Sequence, residues 1–253
     1  MKNKESIMAF VALLMKKCGE KCMNKDKKES VLLSLVLMLA GMLLIISGSI
    51  AVPILIRPLY YMQIGPLGLE NVTVQLAEGA RTLTRAEIIT AYNEMMDYSI
   101  GLTGTFSTGI LSFSEEGRLH FVDVRGLFLL DLWVLIITGL LMLCWVLFKK
   151  YIPLQPKRIL GKGAGFWTGV LPLALFALIG IFCLIDFNKF FTAFHHVFFP
   201  GKSNWIFDPR VDQVINILPE QVFLNFMLMI VALILISCLI LIISGCRKKK
   251  SIE

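Results

Sequence analysis

Four long apolar stretches limit what this chain can fold into more than any other feature of its sequence. They cover residues 30–56, 127–148, 165–186 and 222–245, and Asp131 is the one charged side chain within the second stretch. Each stretch provides the roughly 20 residues that a helix needs to cross a bilayer core of about 30 Å. Only 17% of all residues are charged, whereas about a quarter are charged in an ordinary soluble domain. The sequence therefore predicts an all-α membrane protein with four transmembrane helices.

The net charge of +7 is distributed so that it predicts the orientation of these helices. Basic residues outnumber acids by eight to four in residues 1–29, by five to none in 149–164 and by four to one in 246–253. The connection 57–126 carries eight acids against five bases, and 187–221 carries three of each. Because basic segments next to a span stay in the cytoplasm, we expect a multi-pass cell-membrane protein with both termini inside. The basic surplus is then topological, and we expect no nucleic-acid partner.

The two outer connections are long enough to fold into a small extracellular α(+β) cap. Residues 71–76 alternate between polar and apolar side chains, as a short strand does. Thr84 and Glu87 have the spacing of a capping box, which predicts a helix over about residues 84–98. In the second connection, phenylalanines recur at three- and four-residue steps from Phe187. This stripe predicts an amphipathic helix at the depth of the lipid head groups.

The basic leader, residues 1–29, contains an apolar stretch at 7–15 that is too short to cross a membrane. Two lysines follow it where a signal peptide would have small residues, so we expect a segment that lies on the inner leaflet. Cys18 and Cys22 lie in this leader, and two cytosolic thiols alone make a weak metal site. None of the six cysteines falls in an outer connection. We therefore expect neither disulfides nor a bound metal or cofactor.

The three histidines of the chain, His120, His195 and His196, all fall in the outer connections close to the membrane. Histidine is the side chain whose unperturbed pKa lies in the physiological range, so two positioned imidazoles can exchange protons at neutral pH. The alternative is that all three are solvated surface residues. Nothing in the sequence itself shows whether they converge.

Two acids accompany these histidines. Asp123 follows His120 by three residues, so it shares a helical face with His120 if the second span extends outward that far. It would then support the imidazole, or it would pair instead with Arg125 or water. Asp131 lies inside an apolar span, where a charge is costly. It supports the site, remains protonated or reaches toward water.

Two motifs surround the histidines. The first is Ser114-x-x-Gly117-x-x-His120-Phe121-x-Asp123-Val124-x-x-Leu127-Phe128. The second is Phe194-His195-x-x-Phe198-Phe199, which continues through Asn204-Trp205, Phe207-Asp208-Pro209, Asp212 and Leu218-Pro219. Together with a weaker likeness at 92–98 and the four-span plan, they resemble the lipoprotein intramolecular transacylases, or Lit proteins, of low-GC Gram-positive bacteria. The resemblance covers most of the chain after residue 31 but not the leader.

This resemblance implies an enzyme that moves the sn-2 acyl chain of a diacylglyceryl-modified N-terminal cysteine to the α-amine of that cysteine. It assigns catalysis to His120 and His195, with Asp123 beside His120, whereas His196 falls at a variable position. One imidazole would take a proton from the amine, and a second, protonated imidazole would stabilise the oxyanion. The partners would be a diacylated lipoprotein and membrane lipids, at an active site on the extracellular face. The sequence gives no oligomeric state.

Two other classes of function remain compatible with the residues alone. In a non-enzymatic membrane module, the histidines and Asp131 would bind a metal ion or line a transport path. In an intermolecular acyltransferase or lipid hydrolase, the same histidines would act on separate molecules.

Overall fold

The computed structural model describes residues 27–76 and 79–246 of the chain, so the apolar stretch at 7–15, Cys18, Cys22 and the tail after Cys246 lie outside the described residues. The elements follow in chain order: β1 (Lys28–Ser30), α1 (Val31–Leu55), α2 (Pro58–Ile64), a 3₁₀ turn (Leu69–Asn71), β2 (Thr73–Leu76), β3 (Gly79–Thr82), α3 (Arg85–Ser99), α4 (Glu115–Phe148), β4 (Leu154–Pro156), α5 (Ala164–Ile185), α6 (Phe187–Phe198), a 3₁₀ turn (Gln213–Asn216) and α7 (Glu220–Cys246). The structure is mostly helical, and α1, α4, α5 and α7 are long and apolar enough to cross a membrane. The predicted four-span helical architecture is confirmed.

The four long helices form a bundle in which α1 has the most neighbours. Helices α5 and α7 pack extensively against each other, and α1 contacts α4, α5 and α7. Small residues permit this close packing, as is usual between helices in membranes. At Gly169 of α5, an added Cβ would lie 2.6 Å from the Cys238 carbonyl oxygen of α7. A larger residue at Gly169 would therefore push these two helices apart.

At one end of the bundle, the start of α1 is tied to the connection between α4 and α5. Strands β1 and β4 pair in parallel, with Lys28 opposite Leu154. The Ser34 hydroxyl of α1 donates to the Lys157 carbonyl oxygen at 2.7 Å. This end carries the basic residues of 149–164, whose positive charge predicts the cytoplasmic side.

The two long connections pack together at the other end of the bundle. We call this part, residues 57–126 and 187–219, the cap. Its buried core joins both connections: the Tyr60 ring stacks on Tyr92 at 3.8 Å between centroids, and the Tyr60 hydroxyl donates to the Ile217 carbonyl oxygen at 2.7 Å. Strands β2 and β3 form an antiparallel hairpin, and α3 begins at the capping box of Thr84 and Glu87.

Helix α4 begins at Glu115, twelve residues before the apolar stretch at 127–148. Its 34 residues make it about 51 Å long, much longer than a bilayer core of about 30 Å. Its first three turns, residues 115–126, carry charged side chains and pack in the cap beside α3. We therefore treat 127–148 as the membrane-spanning part of α4 and 115–126 as its extension into the cap.

Candidate active site

His120 and His195 meet inside the cap although 75 positions separate them in the chain. Their ring centroids are 5.7 Å apart. Each residue is 6% exposed, whereas His196 is exposed to solvent. The structure therefore brings together two of the three histidines and directs the third away.

Helix geometry explains why His195, not its neighbour, joins the pair. Consecutive residues on a helix point about 100° apart, so His195 and His196 cannot share a face. In α6, His195 faces inward onto Trp205, whose ring stacks on it at 4.6 Å, while His196 meets only the edge of that indole at 5.7 Å. His120 reaches the same place because the cap extension of α4 carries it beyond the membrane-spanning part.

Aromatic rings surround both imidazoles. His120 contacts Phe199 at 4.9 Å and Phe207 at 5.5 Å between ring centroids. His195 lies 4.1 Å from Phe191 and 5.6 Å from Phe199. The rings keep water from the imidazoles, which disfavours their charged forms.

One hydrogen bond fixes the tautomer of His195. Its Nδ1 lies 2.7 Å from the Phe191 carbonyl oxygen, one helical turn back in α6. A carbonyl oxygen only accepts hydrogen bonds, so Nδ1 carries the hydrogen and Nε2 of the neutral ring has a free lone pair. Burial lowers the pKa of His195 below its ordinary value of 6.5. His195 is therefore a neutral base at pH 7, with Nε2 as the basic atom.

His120 has a different environment. Burial, followed by the charge of His195, lowers its pKa to about 4. Its Nδ1 is buried without a hydrogen-bond partner among the described residues. The aromatic surroundings therefore favour a neutral His120 at pH 7 in the free protein. A neutral imidazole still offers one N–H donor.

Asp123 lies on the same helical face as His120, but its hydrogen bonds go elsewhere. Its carboxylate accepts from Lys202 Nζ at 2.6 Å and from Asn204 Nδ2 at 3.3 Å. Burial raises the pKa of Asp123, but these two donors outweigh burial and lower it below the ordinary value. Asp123 therefore anchors the loop after α6 and affects His120 through its charge. Arg125, the alternative partner, instead donates to the carbonyl oxygens of Tyr98 and Thr103.

The remaining acid, Asp131, does not reach the histidine pair. It lies eleven residues after His120 in α4, about 16 Å farther along the helix axis, within the membrane-spanning part. Its Oδ2 is buried with no partner among the residues that the structure describes. In the same part of the chain, no group of three or more histidine, cysteine, aspartate or glutamate side chains could hold a metal ion.

Three further residues contact the site although the sequence predicted no site role for them. Trp205 stacks on His195, Asn204 donates to Asp123, and Lys202 forms an ion pair with Asp123. Asn204 and Trp205 stand in the second motif, but neither residue belongs to a helical or strand pattern. Only the folded loop shows what they contact.

Comparisons with known proteins identify the family of the chain. A family model described as lipoprotein intramolecular transacylase Lit matches residues 35–223, while a comparison with curated proteins gives no match. The in meso structure of the membrane integral lipoprotein intramolecular transacylase Lit from Bacillus cereus matches with a TM-score of 0.69 and 24% identity, covering 83% of this chain and 91% of that chain. A structure of the same protein with a histidine changed to arginine matches with a TM-score of 0.57 and 24% identity, covering 83% of this chain and 87% of that one.

Proposed function

Because the chain belongs to the lipoprotein intramolecular transacylase family, we propose that it moves the sn-2 acyl chain of a diacylglyceryl-modified cysteine to the α-amine of the same cysteine. The product is a lyso-form lipoprotein with an N-acylated terminus. The observation that carries this proposal is the pair of buried imidazoles at one end of an apolar four-helix bundle. Their ring centroids are 5.7 Å apart. A lipid substrate in the outer leaflet would present its cysteine at that depth.

The environments of the two histidines support different roles in this reaction. Nε2 of His195, held in its basic tautomer, accepts a proton from the amine as the nitrogen attacks the ester carbonyl. The resulting imidazolium then donates that proton to the departing sn-2 oxygen, so the proton balance closes. His120, neutral and buried, donates its N–H to the oxyanion of the tetrahedral intermediate. The roles are thus base and acid for His195, and electrostatic stabilisation for His120.

The reaction needs no covalent acyl-enzyme. An amine is a competent nucleophile once deprotonated, and one glyceryl-cysteine scaffold already holds the amine close to the ester, which raises their effective concentration. No serine or cysteine within 27–76 or 79–246 hydrogen-bonds to either imidazole. Ser114 is occupied as the N-cap of α4, where its hydroxyl accepts from Gly117 N at 2.9 Å and donates to Asp212 Oδ1 at 2.8 Å.

The reaction itself is tested with purified protein and a synthetic diacyl lipopeptide. Intramolecular transfer leaves the intact mass unchanged, because substrate and product are isomers, but tandem mass spectrometry separates them: fragmentation that removes the S-linked glyceryl group leaves an acyl group on the N-terminal residue of the product and none on that of the substrate. When heavy and light substrates labelled in both peptide and acyl chain are mixed, we expect only unmixed products, and Ser114→Ala should still produce them. Free fatty acid would indicate a hydrolase, and acyl exchange between the two pools would indicate intermolecular or covalent transfer.

The roles of the histidines are tested by single substitutions. We expect His195→Ala to lower the transfer rate by about 10²- to 10⁴-fold, the range for losing a general acid or base, and His120→Ala to lower it by about 10²- to 10³-fold, the range for losing an oxyanion donor. His196→Ala is the matched control next to His195 and should have a much smaller effect. His195→Gln, which keeps more of the buried volume but supplies no base, should be nearly as slow as His195→Ala. If His196→Ala abolished transfer while His195→Ala retained it, the assignment would be reversed.

A further inference from the structure

Two buried polar atoms near the histidine pair lack a hydrogen-bond partner within the part of the chain that the structure describes. They are His120 Nδ1 and Asn204 Oδ1. A buried polar atom without a partner costs free energy, so native proteins seldom leave one unless a ligand or water fills the position. The proposed mechanism uses His120, but it leaves Asn204 without a role.

The contacts around Asn204 fix which amide atom is unpaired. Its Nδ2 donates to Asp123 Oδ2 at 3.3 Å, and an ionised carboxylate only accepts hydrogen bonds. The free amide atom is therefore the oxygen, an acceptor. Lys202 Nζ holds the other oxygen of the same carboxylate at 2.6 Å. The ion pair with Lys202 holds the Asp123 carboxylate in place. Asp123, which belongs to α4, in turn restrains the Asn204 side chain through its hydrogen bond.

The residue after Asn204 contacts the proposed base. The following residue, Trp205, stacks on the His195 ring at 4.6 Å, and the Trp205 indole N–H donates to the Lys202 carbonyl oxygen at 3.0 Å. The loop 202–205 therefore contacts the base through Trp205 and the helix of His120 through Lys202 and Asn204. The unpaired oxygen of Asn204 therefore lies on a loop that contacts both His195 and the helix that carries His120.

The chemistry of the substrate limits what can donate to this oxygen. In a diacylglyceryl-modified cysteine both glyceryl oxygens are esterified and the sulfur is a thioether. The remaining donors are the α-amine and the peptide N–H groups. Of these, the proposed mechanism brings the amine to Nε2 of His195, whose ring contacts Trp205, the residue next to Asn204.

We propose that Asn204 Oδ1 accepts a hydrogen bond from the α-amine of the substrate and thereby selects lipoproteins whose N-terminus is free. This inference rests on the proposed function. One N–H of the amine donates to Asn204, a second donates to His195 Nε2, and the nitrogen lone pair points toward the ester carbonyl. Asn204 exchanges no proton. The product amide has a single N–H, so it cannot make both contacts, which favours its release.

Binding of two non-reactive ligands tests this contact. Both are ether-linked diacylglyceryl lipopeptides, one with the α-amine and one with that amine replaced by hydrogen, and each competes with a fluorescent diacyl lipopeptide. We expect the wild-type protein to prefer the amine ligand by roughly 5- to 100-fold, because the amine makes two hydrogen bonds, one to Asn204 and one to His195. Asn204→Leu should reduce this preference to the roughly 2- to 10-fold that the remaining hydrogen bond to His195 Nε2 supports. Asn216→Leu, which changes a half-buried asparagine elsewhere in the same connection, should keep the wild-type preference.

The desamino ligand reports on folding in the same experiment. If Asn204→Leu binds it as tightly as the wild type does, loss of the amine preference is specific. An undiminished amine preference in a folded Asn204→Leu variant, or the absence of any preference in the wild type, would overturn the proposal. If Asn204→Leu fails to bind the desamino ligand, Asn204→Ser, which keeps an acceptor oxygen, should still prefer the amine ligand, and absence of that preference also counts against the proposal. Failure of the proposed function is distinguishable from failure of this inference, because the wild-type protein would then leave the ester-linked lipopeptide unchanged.

Discussion

At the residue scale, the two histidines of the site differ in what holds each ring. His195 is oriented by a hydrogen bond to the carbonyl oxygen one turn back, and the indole of Trp205 covers one of its faces. His120 has aromatic neighbours and an unpaired Nδ1. The first environment favours a base of defined tautomer, and the second favours a neutral N–H donor. Their shared burial lowers both pKa values and keeps both rings uncharged at pH 7.

The lowered pKa values predict the pH dependence of transfer. An imidazole acts as base in its neutral form, which a lowered pKa preserves to lower pH. A free α-amine has a pKa of about 7.7–8.0, so at subsaturating substrate kcat/KM should rise with a slope of one from below pH 6.5 up to about pH 7.7. The slope should increase to two only below 6.5, the ordinary histidine value. Initial rates between pH 5 and 9 measure this, and a change from slope two to slope one at a pH above 6.5 would contradict the lowered pKa.

At the element scale, the start of α4 determines where His120 lies. Ser114 caps the helix, and Asp212, from the second connection, accepts hydrogen bonds from both Ser114 N at 2.7 Å and Ser114 Oγ at 2.8 Å. Asp212 is itself 6% exposed. The first turn of α4 is therefore fixed to the other half of the cap, and His120 follows within two turns.

Gly117 permits this arrangement, which leads to a prediction about two glycines of one helix. An added Cβ at Gly117 would overlap Asp212 Oδ1, whereas a Cβ at Gly126 would meet nothing within 4 Å. We expect Gly117→Ala to lower the free energy of unfolding by about 1–3 kcal/mol, as overpacking does. Gly126→Ala should raise it by about 0.5–1 kcal/mol through helix propensity. Thermal unfolding of the purified variants measures both, and a Gly117→Ala protein as stable as the wild type would contradict the tight contact.

At the scale of the whole molecule, charge distinguishes the two ends of the bundle. The β1 and β4 end has the basic segment 149–164 beside it, while the cap carries the site. Because lysine and arginine next to spans remain in the cytoplasm, the cap should face outward. Such an orientation would present the histidine pair to lipoproteins in the outer leaflet.

Cysteine accessibility tests this orientation in intact cells. In a cysteine-free background, a cysteine replacing Ala80 of β3 should react with a membrane-impermeant reagent, and one replacing Gln155 of β4 should react only after permeabilisation. Both positions are exposed in the structure, so burial would not account for a missing signal. Labelling at position 155 but not at 80 in intact cells would reverse the proposed topology.

The sequence by itself determined the elements whose causes are local. Apolar length specified the four spans, the Thr84 and Glu87 pair predicted the start of α3, and the phenylalanine stripe predicted α6. Each signal depends on residues within a few turns of one another, so it can be recognised from the sequence alone. The family motifs likewise indicated His120 and His195 as candidates, but not the contacts between them.

Only the tertiary structure decided how the site is assembled. The distance between His120 and His195, the outward position of His196 and the pairing of Asp123 with Lys202 depend on segments about 75 residues apart in the chain. Helical spacing placed Asp123 beside His120, yet two donors from the loop after α6 take its carboxylate. The charge state of His120 was equally inaccessible, because its lowered pKa results from burial by rings of other segments. Packing between distant segments has no local period, and that is the physical reason the sequence could not specify it.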